Sequence, residues 1–236
     1  MKKFSVFLCT LVLLLSTCMP ISALAASDRT DDEFLNQNKD RDYVITAYNM
    51  DITVSEYNVL TVTETIDAYF NFARHGIYRT IPLRNEVQRT DGTTATIAAK
   101  IRQVWVENDD FSQTVEGNTY TLQIGDEDKT ITGPHTYVIH YQYDLGRDTV
   151  AGADELYFNL IGTEWSNPIN NVSFRITMPK EFDANQLGFS SGLYGTVGTE
   201  NIYYQTDGNT ISGYYGTALQ LSLIHISEPT RLLSIS

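Results

Sequence analysis

Cysteine is scarce in this chain of 236 residues. Only Cys9 and Cys18 are present, which is too few for a disulfide framework or a cysteine-rich metal site. No glycine-rich phosphate-binding loop and no serine nucleophile motif is found either. The sequence therefore gives no reason to expect a bound metal or cofactor.

Basic residues are also few. The chain has 16 Lys and Arg against 29 Asp and Glu, a net charge of −13. This balance supplies no electrostatic attraction to nucleic acid or to an anionic membrane surface. The hydrophobic content of 42% is nevertheless enough for a packed core. The composition indicates an acidic globular protein and argues against nucleic acid as a partner.

The one long apolar run lies at the N-terminus. Residues 4–17 follow a basic start and are fewer than the ~20 that a membrane-spanning helix needs. Pro20 ends the run, and Ala23-Leu24-Ala25 places small residues before a cleavage position. This order is typical of a secretory signal. We predict a signal peptide over residues 1–25, rather than an uncleaved anchor or a lipoprotein signal at Cys18. Cleavage removes both cysteines.

The other end of the chain, residues 221–236, does not read as a natural terminus. Leu221–Arg231 corresponds to the in-frame translation of a transposase sequencing adapter, and Ile235-Ser236 fits the adapter again after a short index. We predict that this segment is not native and that the natural protein continues past Gln220. Residues 26–220 carry 13 basic and 28 acidic residues, a net charge of −15.

Between these ends the pattern is that of strands. Residues 26–42 are polar and charged, and we predict a flexible leader there. Tyr43–Val54 and Val59–Phe70 alternate between apolar and polar residues and are joined by a short polar turn, which predicts a β-hairpin. In the second strand the alternation places one set of polar residues on a single face, namely Thr61, Thr63, Thr65 and Asp67.

Further short strands follow at similar intervals, separated by Gly and Asp-Gly turns. We predict them over residues 94–106, 119–124, 136–143, 155–160, 172–178, 202–204 and 210–215. Helical periodicity is confined to one short turn within 181–187. Many short strands with such turns favour an all-β fold, an antiparallel β-sandwich. We assign residues 43–220 to this one domain.

Three segments carry a family resemblance. They are His75–Pro82, Ile131–Tyr141 and Asp154–Trp165. In this order, behind a signal peptide, they resemble domain of unknown function family 2207, a family of predicted bacterial membrane proteins. The resemblance covers residues 43–220 and implies an exported N-terminal β domain followed by membrane helices. No catalytic activity is established for the family, so no functional residues are carried over.

The first segment combines an imidazole, a phenol and a guanidinium in His75, Tyr78 and Arg79. Arg79 can form a forked contact with an anion. The alternative is a structural clamp, with Arg79 paired to a buried carboxylate and Tyr78 in the core. The stretch is locally basic and is therefore the best candidate for a partner contact. Its other basic residues are Arg74, Arg84 and Arg89.

Two histidines in the second segment do not predict a metal site. His135 and His140 are five residues apart, and on a strand an odd separation places side chains on opposite faces. The acidic pair Asp109-Asp110 and the acidic triplet at 126–128 lack the spaced oxygens of a calcium loop. We interpret them as solvated turns.

The third segment offers carboxylates and a tryptophan. Asp154 and Glu164 invite a glycosidase hypothesis, with Trp165 as a sugar platform. A structural turn at Glu164-Trp165 is the simpler interpretation. Trp105 and the 15 tyrosines could form a carbohydrate or protein contact surface, although alternating tyrosines on strands more often pack across strands.

The leading hypothesis is a non-catalytic extracytoplasmic domain of a membrane-anchored bacterial envelope protein, with a role in interaction or assembly. Its expected place is the extracellular face of the cytoplasmic membrane, held by a helix beyond Gln220. The expected partner is an envelope protein or a glycan. A secreted glycan-binding module is the alternative, and an envelope glycan hydrolase is the third hypothesis.

Overall fold

The computed structural model describes residues 31–88, 94–146, 154–162, 165–189, 191, 201–219 and 230–232. These residues form one α-helix, one 3₁₀ helix (Ala184–Gln186) and fourteen strands. In chain order the elements are α1 (Asp31–Gln37), β1 (Tyr43–Val54), β2 (Val59–Arg74), β3 (Gly76–Pro82), β4 (Arg84–Gln88), β5 (Thr94–Ala98), β6 (Lys100–Val106), β7 (Phe111–Glu116), β8 (Thr119–Gly125), β9 (Ile131–Asp144), β10 (Asp154–Leu156), β11 (Ile169–Thr177), β12 (Ile202–Asp207), β13 (Thr210–Tyr215) and β14 (Thr230–Leu232).

The two longest early strands follow the predicted alternation. Along β2 the even-numbered side chains from Leu60 to Phe70 are buried, and the odd-numbered ones face outward. The four polar residues predicted to share a face do so. The turn between β1 and β2 is tight because the Asn58 amide donates to the Ser55 carbonyl and Asn58 adopts a positive φ of 57°. The predicted hairpin is confirmed.

A seven-stranded sheet forms the larger layer, in the order β12-β13-β11-β1-β2-β9-β6. The all-β fold is confirmed. Neighbouring strands of the seven-stranded sheet run antiparallel, except for β1 and β11, which run parallel to each other. The sheet is therefore mixed. Strand β11 is far from β1 in the chain, but in the sheet it lies between β1 and β13, where it runs parallel to β1.

The second layer is smaller. In a three-stranded sheet, β3-β8-β7, strands β3 and β8 present apolar side chains to the large sheet. Strands β4 and β5 form a separate two-stranded sheet. Ile77 and Ile81 of β3 and Leu122 of β8 are at most 2% exposed and join one core cluster with the inner face of the large sheet. The two layers are therefore held by apolar burial, as in a sandwich.

The prediction of a flexible leader over residues 26–42 is wrong for residues 31–42, the part that the structure describes. Residues 31–37 form α1, and the Phe34 side chain is fully buried. The helix is tied to β11 because Asn170 Nδ2 donates to Asp31 Oδ1 at 3.0 Å. A single buried aromatic among polar neighbours leaves no periodic pattern in the sequence, which explains the error.

Other predictions differ in detail. The strand predicted over 94–106 is divided between two sheets, because Ala99 turns inward and its amide donates to the Leu83 carbonyl. Strands β3, β4 and β7 were not predicted. Of the strand predicted over 155–160, only Asp154–Leu156 is extended, and it pairs with Thr230–Leu232 of the segment predicted to be non-native. The predicted helical turn is found as the 3₁₀ helix.

Candidate functional site

A buried ion pair joins the two layers. Glu64 lies on the core-facing row of β2, and Arg79 lies on the core-facing row of β3. Both side chains are nearly inaccessible, at 0% and 2% exposed. Arg79 Nε donates to Glu64 Oε2 at 2.7 Å, and Arg79 Nη2 donates to Glu64 Oε1 at 2.8 Å. This is a bidentate contact, the strongest geometry for a guanidinium and a carboxylate.

Two tyrosines complete the cluster. Tyr48 on β1 donates its hydroxyl to Glu64 Oε2, and Tyr141 on β9 donates to Oε1, each at 2.6 Å. The remaining terminal nitrogen Nη1 of Arg79 donates to the Thr80 carbonyl. Glu64 thus accepts four hydrogen bonds within the core. We call Glu64, Arg79, Tyr48 and Tyr141 the buried cluster.

The electrostatics of the buried cluster favour its ionised form. Burial alone would raise the pKa of Glu64, but the charge and hydrogen bonds of Arg79 lower it below its usual value. The carboxylate in turn raises the pKa of Arg79 well above its usual value, against the effect of burial. Burial raises the pKa of both tyrosines. The hydroxyls therefore remain protonated donors at neutral pH.

The buried cluster decides between the two interpretations of the first segment. The guanidinium of Arg79 is enclosed and paired to a carboxylate, so it does not form an accessible anion site. The pairing proposed in the clamp hypothesis is observed. The placement of Tyr78 in the core is wrong, because its side chain is 62% exposed on the outer face of β3.

His75 lies apart from this cluster, at the rim of a surface cleft. Its Nδ1 is 2.8 Å from the Lys129 carbonyl. The cleft has a volume of about 270 Å³ and is also lined by Tyr78, Gly125 and Asp126. Arg74, which precedes His75 in the chain, is paired with Asp42 on the surface. The predicted set of His75, Tyr78 and Arg79 is therefore not one site.

Trp165 packs on the core beside the buried cluster. Its ring meets Tyr48 edge to face, with the ring centroids 5.8 Å apart. Its indole N–H has no hydrogen-bond partner among the described residues. Glu164 and the Asp154 side chain, the carboxyl groups of the hydrolase hypothesis, lie outside what the structure describes.

Trp105 is an exposed aromatic residue whose orientation is fixed by its neighbours. Its side chain is 49% exposed on β6, at the edge of the large sheet. The indole stacks on the His140 imidazole with centroids 3.8 Å apart and planes 10° apart. Nε2 of His140 donates to Glu107 Oε1 at 2.8 Å, and its Nδ1 lies 3.0 Å from Thr63 Oγ1. We call Trp105, His140, Glu107 and Thr63 the Trp105 platform.

A β-bulge places the indole on the outward face. Arg102 is opposite Gln142 and Trp105 is opposite His140, so β6 has one residue more than β9 between these pairs. Gln103 absorbs the extra residue with a positive φ of 50°. Strict alternation from Arg102 would have turned Trp105 inward. The bulge reverses this and aligns Trp105 with His140.

The two histidines lie on opposite faces, as predicted. The register of β2 with β9 is continuous from Ala68↔His135 to Thr63↔His140, so no irregularity changes the alternation. His135 Nε2 is 3.0 Å from Asp109 Oδ1. Within the part of the chain that the structure describes, no group of three or more His, Cys, Asp or Glu is arranged to hold a metal ion.

Sequence comparison places the chain in a family. A family model described as the N-terminal domain of a predicted membrane protein (DUF2207) matches residues 44–217. The chain belongs to this family. No curated protein matches the sequence. Within the described ranges of this DUF2207 domain, no helix has the length and apolar character needed to cross a membrane.

Solved structures resemble the DUF2207 domain only distantly. A zinc metallopeptidase of the M1 class from Deinococcus radiodurans has 11% identity and a TM-score of 0.37, over 78% of this chain and 42% of the other. A leukotriene A4 hydrolase from Saccharomyces cerevisiae has 11% identity and a TM-score of 0.41, over 88% and 33%. This chain thus spans less than half the length of either protein.

Proposed function

We propose that this DUF2207 domain is a non-catalytic binding domain, held at the extracellular face of the bacterial cytoplasmic membrane as part of a larger envelope protein. Its role is interaction or assembly within the envelope. The family description and the predicted signal peptide support the location. The Trp105 platform is the observation that carries the binding role.

The buried cluster is not suited to acid–base catalysis. It contains the only carboxylate that the described residues enclose in the core, and that group already accepts four hydrogen bonds. A general acid or base must reach the proton that it transfers. Glu64 cannot do so without dismantling the core, so its role is to join the two layers.

Trp105, at the centre of the Trp105 platform, has the properties of a contact residue. Tryptophan is enriched among the residues that dominate binding interfaces. Trp105 is half exposed, yet its orientation is fixed by a stacked ring, two hydrogen bonds to that ring and a bulge. Because the side chain is already ordered, little conformational entropy is lost when a partner binds.

Binding to envelope material tests this proposal. The full chain is mixed with washed bacterial envelope fragments, and the bound fraction is measured after sedimentation. We expect saturable binding that Trp105→Ala weakens about tenfold, as expected for an interfacial tryptophan.

Tyr203→Ala is the matched control, since Tyr203 is 52% exposed and stacks on Tyr214 at the opposite edge of the same sheet. It should bind like the unmodified chain. Equal binding by the Trp105→Ala and unmodified chains would show that the platform is not the contact.

A further inference from the structure

The indole of Trp105 offers one open face. The other face is covered by His140 at 3.8 Å. Trp105 lies on β6, the last strand of the seven-stranded sheet on that side, so no further strand of that sheet covers the free face. A flat, rigid apolar ring of this kind suits a partner that also has a flat apolar face.

The carboxylates around the platform already have hydrogen-bond or ion-pair partners. Glu107 is paired with His140, and Asp109 is paired with His135. Arg102, on the same strand as Trp105, contacts Asp144 at 2.9 Å. A cationic ligand would have to compete for these carboxylates. An anionic polymer would meet a chain with a net charge of −13.

Groups that can hydrogen-bond to hydroxyls remain beside the ring. The second oxygen of Glu107, Oε2, has no hydrogen bond to any described residue, and its side chain is 40% exposed. Gln142 follows His140 by two residues on the same face of β9 and sits opposite Arg102. A carboxylate oxygen and an amide are suitable partners for hydroxyl groups.

We propose that the Trp105 platform binds an uncharged glycan, with one pyranose ring stacked on the free face of the indole. A pyranose has an apolar face of C–H groups and a rim of hydroxyls, which match the ring and the polar groups beside it. This inference rests on the proposed function, because it names the ligand class of the same surface.

Tryptophan fluorescence provides a direct test. The chain has two tryptophans, so Trp165→Phe leaves Trp105 as the single reporter. This variant of the full chain is titrated with cellohexaose and with the hexamer of N-acetylglucosamine. We expect a saturable change in Trp105 emission with at least one of them. By calorimetry, Trp105→Ala should weaken that affinity about tenfold, and Tyr203→Ala should leave it unchanged.

The same oligosaccharide should displace the full chain from envelope fragments, whereas polygalacturonate, an anionic polymer, should not. The absence of any saturable response at millimolar concentration, or displacement by polygalacturonate alone, would overturn the glycan assignment. If envelope binding still depended on Trp105 in that case, the proposed binding function would stand and only the ligand class would be wrong. If neither the oligosaccharide response nor Trp105-dependent binding to envelope fragments were observed, both proposals would be rejected.

Discussion

At the scale of single residues, the buried cluster concentrates the polar interactions of the core. Glu64 and Arg79 are paired across the two layers, and Glu64 also accepts hydrogen bonds from neutral tyrosines on both strands that neighbour β2. Such a pair does not necessarily add stability relative to apolar residues, but removal of one partner leaves an uncompensated buried charge. The cluster therefore makes the relative position of β2 and β3 specific.

Glu64→Gln tests this at neutral pH. The substitution keeps the shape of the side chain but leaves the charge of Arg79 unpaired. We expect the free energy of unfolding to fall by about 3–5 kcal/mol, measured by urea denaturation. Thr65→Ala on the outward face of the same strand is the control and should cost less than about 1 kcal/mol.

The effect of Glu64→Gln should depend on pH. The pKa of Glu64 is lower in the folded state than in the unfolded chain, so its ionisation stabilises the fold fully above the unfolded pKa of about 4.3. That contribution is lost as the pH falls toward and through the folded pKa. The stability difference between the two proteins should therefore be constant from pH 7 to about 5 and shrink below about 4. A difference that stays constant at acid pH would contradict this account.

A double-mutant cycle measures the coupling within the pair. Arg79→Met alone leaves a buried carboxylate without its cation. The Glu64→Gln, Arg79→Met double variant contains neither charge, and we expect it to be about 1–3 kcal/mol more stable than the sum of the single losses predicts. Additive losses would show that the two side chains act independently.

Part of this site was accessible from the sequence. Glu64 falls on the row of β2 that also contains Val62 and Ile66, so alternation alone would have marked it as a buried charge. Its pairing with Arg79 joins strands in different layers, and periodicity within a strand cannot reveal such contacts. Trp105 was a candidate contact residue from the sequence, but its outward orientation and its stacking on His140 were not predicted. The bulge rests on a positive φ at Gln103, and glutamine gives no sequence indication of that conformation.

At the scale of elements, strands with a clear alternation were predicted and weakly patterned ones were not. β1 matches its predicted bounds, and β8, β9 and β11 differ from theirs by a few residues. In contrast, β7 is exposed at every position, so it has no buried row to produce a pattern. Helix α1 was missed because Phe34 is its only buried residue.

A pair of glycines sets the contact between β3 and β8. Gly76 and Gly125 are opposite each other with φ of 147° and 131°, and a Cβ on Gly125 would lie 1.9 Å from the His75 carbonyl oxygen. We expect Gly125→Ala to destabilise the protein by at least about 2 kcal/mol more than Gly117→Ala. Gly117 also has a positive φ, of 58°, but a Cβ there meets no atom within 4 Å.

Thermal and urea denaturation of the two alanine variants separate backbone crowding from backbone strain. Gly117→Ala carries only the strain of the left-handed region, roughly 1–2 kcal/mol. Equal stability of the two variants would mean that β3 and β8 can move apart at this point without loss.

At the scale of the whole molecule, the predicted signal peptide fixes what the mature protein contains. Cleavage after Ala25 should yield a chain that begins at Ala26 and has no thiol, because Cys9 and Cys18 are removed. Intact mass and a thiol assay on the exported protein measure both properties. Ala25→Arg should block cleavage and retain the thiols. A mature chain that keeps Cys18 at its N-terminus would instead indicate a lipoprotein.

The parallel pairing of β1 with β11 has a consequence for the order of events during synthesis. Asn49 and Ser173 are side by side although they are 124 positions apart in the sequence. One edge of β1 therefore stays open until β11 has been synthesised, and contacts of such long range form slowly. The parallel pairing thus makes completion of the seven-stranded sheet a late step of folding.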